Sequence, residues 1–388
     1  MSNYINVNSE IGKLETVILH RPGVEIERMT PENAEKALFS DILNQKIANR
    51  EYYEFEGTLK QVAKTLEVKD LLADILNDSD IRNTIIDNVF ATENISFNKE
   101  YFNDFSNEKL ALSLIEGLQT EEDFSDNRYS LRPLYNFFFT RDASMSVYNK
   151  VLIGKMANQV RDREAMIMDN IFRNHELFKA ETMNPANVEN AGVTIEGGDV
   201  LIAREDILLI GVGGRTTRKG IDFIVNQFKN TGKTQHIILQ ELPLSPESFI
   251  HLDMVFTLLD NDKCMAYAPL ILEQNTYETI HITIENDKVK TEKEDTLLTA
   301  LKKLGMDLNP IYCGGKTDNW TQQREQWHSG ANFFAFAPGK VIGYGRNTNT
   351  IEEMNNNGFE VLPAKDVASG KINVNDYKSC VVTVDGAE

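Results

Sequence analysis

Beyond residue 136 the chain keeps returning to one order, a pair of short apolar strands followed by a helix and another strand. "KVLIGKM" (150–156) and "VTIEGGDVLIA" read as strands, and "ILLIGVG" pairs with the latter; "RKGIDFIVNQFKN" is helical and "QHIILQEL" a strand. "HLDMVFTLLDNDKCMAYAP" reads as a hairpin turning at Asp260–Asn261–Asp262, and "NFFAFAPGKVIGYG" as one turning at Pro338–Gly339. "EDTLLTALKKLG" is a helix closed by Gly305, and a helix at "TIEEMNNNG" precedes a last strand, "SCVVTV". This order predicts an α/β array and not a doubly wound sheet. "GVGGR" (211–215) lacks the Lys–Ser/Thr that opens a phosphate-binding helix, so no P-loop is expected.

The N-terminal part differs. "LETVILHRPG" (14–23) reads as a strand stopped by Pro22 and Gly23. Thr30 is an N-cap with Pro31 in the first helical position, and Ile47, Phe55, Leu59, Val62 and Leu66 recur with the helical period. Residues 69–128 carry "DLLADIL", "SDIRNTIIDNVF" and "NEKLALSLIEGL", amphipathic helices with no strand between them. They predict an all-helical insertion, leaving 1–68 and 129–388 as the α/β part.

Composition removes several function classes. A net charge of −19 opposes nucleic-acid binding, which needs clustered Lys and Arg. No apolar run is long enough for a membrane span, and "MSNYINVNSE" has no basic start before an apolar stretch, so a cytoplasmic protein without a signal peptide is expected. The three cysteines, Cys264, Cys313 and Cys380, are scattered and odd in number, which suits a reducing compartment. Neither Cys-x-x-Cys nor His-Glu-x-x-His occurs, so no metal or other cofactor is expected.

Charged residues set against apolar runs mark the candidate site, because a desolvated charge needs a partner or a task. Read as a strand, "HLD" turns His251 and Asp253 to one face, as a general acid/base beside a carboxylate or as a plain surface contact. In "IEGGDV", Glu196 precedes two glycines and Asp199 follows; the glycines mark close approach by a ligand or backbone, or a bulge. "NFFFTRDAS" offers Asn136, aromatic walls from Phe137 to Phe139, and the Arg141–Asp142 pair, which suit a planar cation or the end of a core strand. Arg161 and Arg215 supply the opposite charge, for a carboxylate or for solvent.

Together, "SEIGKLETVILHRPG", "LFSDIL" (38–43), "NFFFTRD", "IEGGDV", "HLD" and "FAPGKVIGYGRN" (336–347) resemble arginine deiminases, in their order and spacing, over nearly the whole chain. The resemblance implies a five-bladed α/β propeller (pentein) with an inserted helical subdomain, a cytoplasmic homo-oligomer, and hydrolysis of L-arginine to L-citrulline and ammonia without cofactor. Carried over, Asp142 and Asp253 grip the guanidinium, Glu196 orients that end, and His251 is the general acid/base. Asn136, Arg161 and Arg215 hold the α-amino and α-carboxylate groups, and Leu38 and Phe139 shape the pocket.

The family mechanism also needs a cysteine nucleophile in a glycine-rich loop after a strand like "SCVVTVDGAE". None of the three cysteines fits that position, so the nucleophile is expected beyond Glu388 and the 388 residues alone are expected to be inactive. A non-catalytic arginine-binding protein and a related amidine hydrolase or amidinotransferase remain as alternatives.

Overall fold

The computed structural model describes residues 4–39, 41–93, 95, 97–119, 129–187, 192–316 and 318–386. Strand β1 (Thr16–Leu19) runs parallel to β2 (Lys64–Glu67), with helix α1 (Gln45–Val62) between them. Asn44 starts α1 by accepting from the amides of Lys46 and Ile47. Helical periodicity through Leu66 overruns the helix by four residues, because the Lys64 amide leaves the helix to donate to the Glu15 carbonyl and Leu66 joins β2.

Three helices follow, α2 (Val68–Ile75), α3 (Ser79–Thr92) and α4 (Asn107–Glu116), the last two capped by Asp78 and Ser106. Residues 120–128 of the expected insertion lie outside the described residues. The apolar faces of these helices, with Leu72, Ile85, Val89, Leu110 and Leu114, share one core with Val151, Ile153 and Ile171 from the next unit.

That unit pairs β3 (Ser144–Val147) antiparallel with β4 (Lys150–Ile153), crosses over through α5 (Asp162–Asn174), and adds β5 (Thr182–Met183) parallel to β4. The pattern recurs with β6 (Val200–Arg204), β7 (Ile207–Val212), α6 (Arg218–Phe228) and β8 (Thr234–Glu241). It recurs again with β9 (Phe256–Asp260) and β10 (Lys263–Ala266). Here the hairpin β11 (Thr279–Glu285) and β12 (Lys288–Glu294) intervenes and pairs with β8, before α7 (Leu297–Lys303) leads to β13 (Asn309–Tyr312), parallel to β10. After α8 (Asn319–Trp327), the antiparallel pair β14 (Phe334–Ala337) and β15 (Lys340–Tyr344) is followed by α9 (Thr348–Asn356), β16 (Glu360–Pro363), α10 (Ala364–Ala368) and β17 (Cys380–Val384). Strand β17 lies parallel to both β15 and β16.

Among the described residues the strands form five separate sheets. The hairpin turns fall where the sequence put them, at residues 261–262 and 338–339. The β11–β12 hairpin was not foreseen, since "KVKTEKE" is exposed and charged on both faces and lacks apolar alternation. Two strand assignments are corrected. Gly197–Asp199 and Leu252–Met254 are single helical turns that end where β6 and β9 begin, so His251 and Asp253 are not alternate residues of a strand. No helix among the described residues is long and apolar enough to cross a membrane.

Candidate active site

Each of three units is entered through a short helical turn: Thr140–Ala143 before β3, Gly197–Asp199 before β6 and Leu252–Met254 before β9. The turns are packed against one another at van der Waals limits. A Cβ on Gly197 would lie 1.9 Å from the Arg141 carbonyl oxygen, and one on Gly198 would lie 2.5 Å from Nδ1 of His251. These glycines therefore let three backbone segments converge, which is what the Gly–Gly pair beside Glu196 is for. The Leu252 amide donates to Oδ1 of buried Asp199 at 3.0 Å and ties the second turn to the third.

Three charged side chains meet at the junction. Nε2 of His251 bonds to Oε2 of Glu196 at 3.0 Å, and its Nδ1 lies 3.9 Å from Oδ1 of Asp142. Glu196 is fully buried; its Oε1 accepts from the Ala157 amide at 2.9 Å, and Nη1 of Arg215 stands 3.6 Å from its Oε2. Nη1 of Arg161 donates to Oδ2 of Asp142 at 2.7 Å. Asp253 closes the group. Its Oδ1 is buried with no hydrogen-bond partner among the described residues, although the Asn332 side chain bonds to the same carboxyl.

The carboxylates divide into two kinds. Burial disfavours the charged forms of Asp142 and Glu196, yet Arg161 and His251 beside the first, and His251 and Arg215 beside the second, hold both below the usual carboxylate range. Burial pushes Asp199 up to about 7. Asp253 is pushed up to about 6, first by burial and further by the negative charge of Asp142. Burial also works against the imidazolium of His251, but Asp142, the hydrogen bond to Glu196, Asp199 and Asp253 together raise it to about 10. The histidine is thus a cation at neutral pH, while Asp253 and Asp199 each keep a buried carboxyl oxygen without a partner among the described residues.

Of the residues chosen from sequence, Asp142, Glu196, His251, Asp253 and Arg215 come together. Arg161 joins them in a more committed way than expected. Its Nε and Nη2 donate to Oε2 of Glu164 at 2.9 and 2.8 Å, and Nη2 also reaches the carbonyls of Asn136 and Phe139. The Arg141–Asp142 pair does not form; Arg141 turns away to a two-pronged bond with Glu10 and donates to the Gly197 carbonyl. Asn136 is tied by Nδ2 to the Ala37 carbonyl at 2.8 Å, next to Leu38 in a left-handed backbone conformation. Phe139 is 46% exposed and stacks on Phe138, whose ring faces Phe39. Sequence reasoning assigned no role to Glu10, Glu164 and Asn332, single polar residues of which Glu10 and Asn332 stand in segments read only for their fold or their resemblance.

The cysteines stand apart from this group. Cys264 lies in β10, Cys380 in β17 and Cys313 beyond β13; all are buried and unpaired. Burial raises all three thiols, Cys313 to about 12 and Cys380 to about 11. No group of three or more His, Cys, Asp or Glu among the described residues is placed to hold a metal ion.

A family model described as arginine deiminase matches residues 35–370. The chain is 33% identical over 387 residues to an arginine deiminase of Bacillus cereus, covering 93% of this chain and 94% of that one. It is 34% identical over 378 residues to an arginine deiminase of Mycoplasma capricolum, covering 93% and 92%. Among solved structures, an amidinotransferase from Microseira wollei superposes with a TM-score of 0.52 at 14% identity, over 98% of this chain and 92% of the other. DDAH from Pseudomonas aeruginosa, complexed with citrulline, gives 0.50 at 12% identity, over 96% and 92%. At these identities the two structures speak to the fold alone.

Proposed function

The chain belongs to the arginine deiminase family, and from that premise we propose that it is built to convert L-arginine and water into L-citrulline and ammonia. The observation that carries the reading is the buried, unpartnered Oδ1 of Asp253 in a site where Asp142, Glu196 and His251 already stand. A guanidinium, planar and rich in N–H, is the cation such a carboxylate lacks. Asp142 and Asp253 grip it from two sides, and Arg215 meets the α-carboxylate. Leu38, Asn136 and Phe139 form the rim against the rest of the substrate. Arg161 primarily holds Asp142 in place, and joins the substrate carboxylate only by loosening its hold on Glu164.

In the chemical step a cysteine thiolate attacks the guanidinium carbon and ammonia leaves, giving a covalent thiouronium. His251, held as the imidazolium by its carboxylates, donates the proton the leaving nitrogen needs. The neutral imidazole then takes a proton from the water that attacks the thiouronium carbon, and citrulline departs with return of the thiolate. Substrate binding prepares this transfer. A guanidinium between Asp142 and Asp253 competes for the charges that hold the proton on His251 and so makes that proton easier to give up.

None of Cys264, Cys313 and Cys380 suits the role of nucleophile, since each is buried in or beside a strand with its thiol pushed up. These 388 residues therefore carry the binding and proton-transfer parts of the site, and bind arginine without turning it over. The repeated hairpin–helix–strand units are read in the same proposal as blades of an α/β propeller about the site, which the five sheets and the structural likenesses support. Calorimetric titration with arginine tests the pocket. Saturable binding that Asp253→Asn weakens by about tenfold or more is expected, and no binding, or equal binding in the variant, refutes the assignment.

A further inference from the structure

We propose that a second cleft, between the His20–Gly23 loop and helices α1, α2 and α4, is a binding site for a small primary ammonium compound that also carries a carboxylate. The cavity holds about 290 Å³ and is lined in part by His20, Glu25, Asn49, Lys69, Leu112 and Glu116. It shares no lining residue with the site around His251, and its size is at the lower end of small-molecule pockets.

The chemistry of its inner wall selects the ligand. His20 and Glu25 are both buried, joined by a bond of 3.2 Å from Nε2 to Oε1, and the Gly23 amide donates to the same Oε1 at 2.6 Å. Nδ1 of His20, Oε2 of Glu25 and Oδ1 of Asn49 are buried with no hydrogen-bond partner among the described residues. Oε2 of Glu25 and Oδ1 of Asn49 are acceptors, so the wall carries two oxygens with no donor among the described residues. Each such unmet group costs stability in the empty protein. Gly23 keeps one of them clear, since a Cβ there would press to 2.5 Å from Oε2 of Glu25.

Charge points the same way. Burial and then the charge of Glu25 raise the carboxyl of Glu116, against the pull of Arg28, His20 and Lys69, so two carboxyl groups near enough to feel each other line the cavity. Arg21 is engaged by Glu56 instead. An anion deep in the cavity would meet the carboxyl groups of Glu25 and Glu116, and a quaternary ammonium would bring charge without N–H. An –NH₃⁺ group brings both the charge and three donors. Lys69, exposed at the mouth, is the counterpart for a carboxylate at the other end.

The test is titration calorimetry of the 388-residue chain with 5-aminopentanoate and with its N-trimethyl analogue. Saturable binding of the first is expected, weakened about tenfold or more in the analogue. Leu112→Trp fills the cavity from its exposed rim, and Asn49→Leu removes one acceptor without adding bulk at the mouth. Each should weaken 5-aminopentanoate by about tenfold or more while leaving arginine affinity unchanged. Asn49→Leu carries the test alone if Leu112→Trp fails to fold. Absence of binding, equal binding of the two compounds, or unchanged binding in the folded variants would overturn the proposal and leave a water-filled cleft.

Discussion

If arginine enters between Asp142 and Asp253, binding must expel a proton. Asp253 is raised to about 6 by burial and by Asp142, and a guanidinium against both carboxylates removes the second cause and compensates the first. Its pKa then falls well below the working range, and any proton it held is released. With a free value near 6, about nine-tenths of a proton leaves per arginine at pH 5, about half at pH 6, and almost none at pH 7.5. By linkage, affinity rises with pH through this window, and Kd at pH 5 is about tenfold weaker than at pH 7.5, or about 1.4 kcal/mol. His251, raised to about 10, stays protonated throughout and contributes nothing to the slope unless binding displaces its proton. The assay is titration calorimetry at pH 6 in buffers of different ionisation enthalpy, on the wild type and on Asp253→Asn. Release of about half a proton, abolished in the variant, is the expected result. Zero release or net uptake in the wild type, or release that persists in Asp253→Asn, would refute the reasoning.

Five other outcomes follow from the structure. Gly198→Ala should push the His251 ring out of place, because its Cβ would start 2.5 Å from Nδ1; an imidazole pKa by NMR that stays at its wild-type value in the variant would count against this. Arg161→Ala should destabilise the fold by about 3–5 kcal/mol, leaving Asp142 and Glu164 buried without their cation, and should weaken arginine and agmatine alike. Arg215→Ala should instead weaken arginine by about tenfold to a hundredfold and agmatine little; equal losses would remove Arg215 from the carboxylate. Asp199, raised to about 7, contributes stability that is complete below the usual carboxylate range and is lost as pH rises through 7; Asp199→Asn should match the wild type near pH 4 and exceed it at pH 8 by on the order of 2 kcal/mol in thermal unfolding, with a less stable variant at pH 8 as the contrary result. Finally, the 388-residue chain should form no citrulline from arginine in a product assay, and measurable release would assign the nucleophile to one of its three buried thiols.

The alternation of strand pairs and helices was legible because buried strands carry unbroken apolar runs, as in β7, and because Pro338–Gly339 and Asp260–Asn261–Asp262 are turn chemistry independent of context. Strand β12 was not legible, for the opposite reason. It is held by backbone pairing to β11 at a sheet edge, and all its side chains but Glu294 face water, where no pattern is selected. The end of α1 was misjudged because Leu66 fits the helical period while its backbone is claimed by the neighbouring strand. Local spacing cannot see a competing hydrogen-bond partner fifty residues away in sequence.

The site was legible one residue at a time but not in its wiring. Glu196, His251 and Asp253 announced themselves as charges in apolar or glycine-rich segments, yet the neighbour in sequence proved a poor guide to the neighbour in space. Arg141 stands next to Asp142 in the chain and bonds to Glu10 instead, while the cation on Asp142 comes from Arg161 in another turn. That exchange has a physical logic. Adjacent residues in a tight helical turn point in divergent directions, so the turn at Thr140–Ala143 sends one charge inward and the other back along the sheet. Once Arg161 and Arg215 are assigned to Asp142 and Glu196, and His251 is shared between them, Asp253 keeps a buried oxygen with nothing to bond among the described residues, as do Asp199 and Glu164, whose other oxygens are held by the Leu252 amide and Arg161. A buried carboxylate left in that condition costs stability in the empty protein, and a cationic ligand removes the cost when it binds. The unsatisfied group is thus a more specific pointer to a guanidinium than any of the satisfied ones, since the satisfied pairs would look the same in a site with no ligand at all.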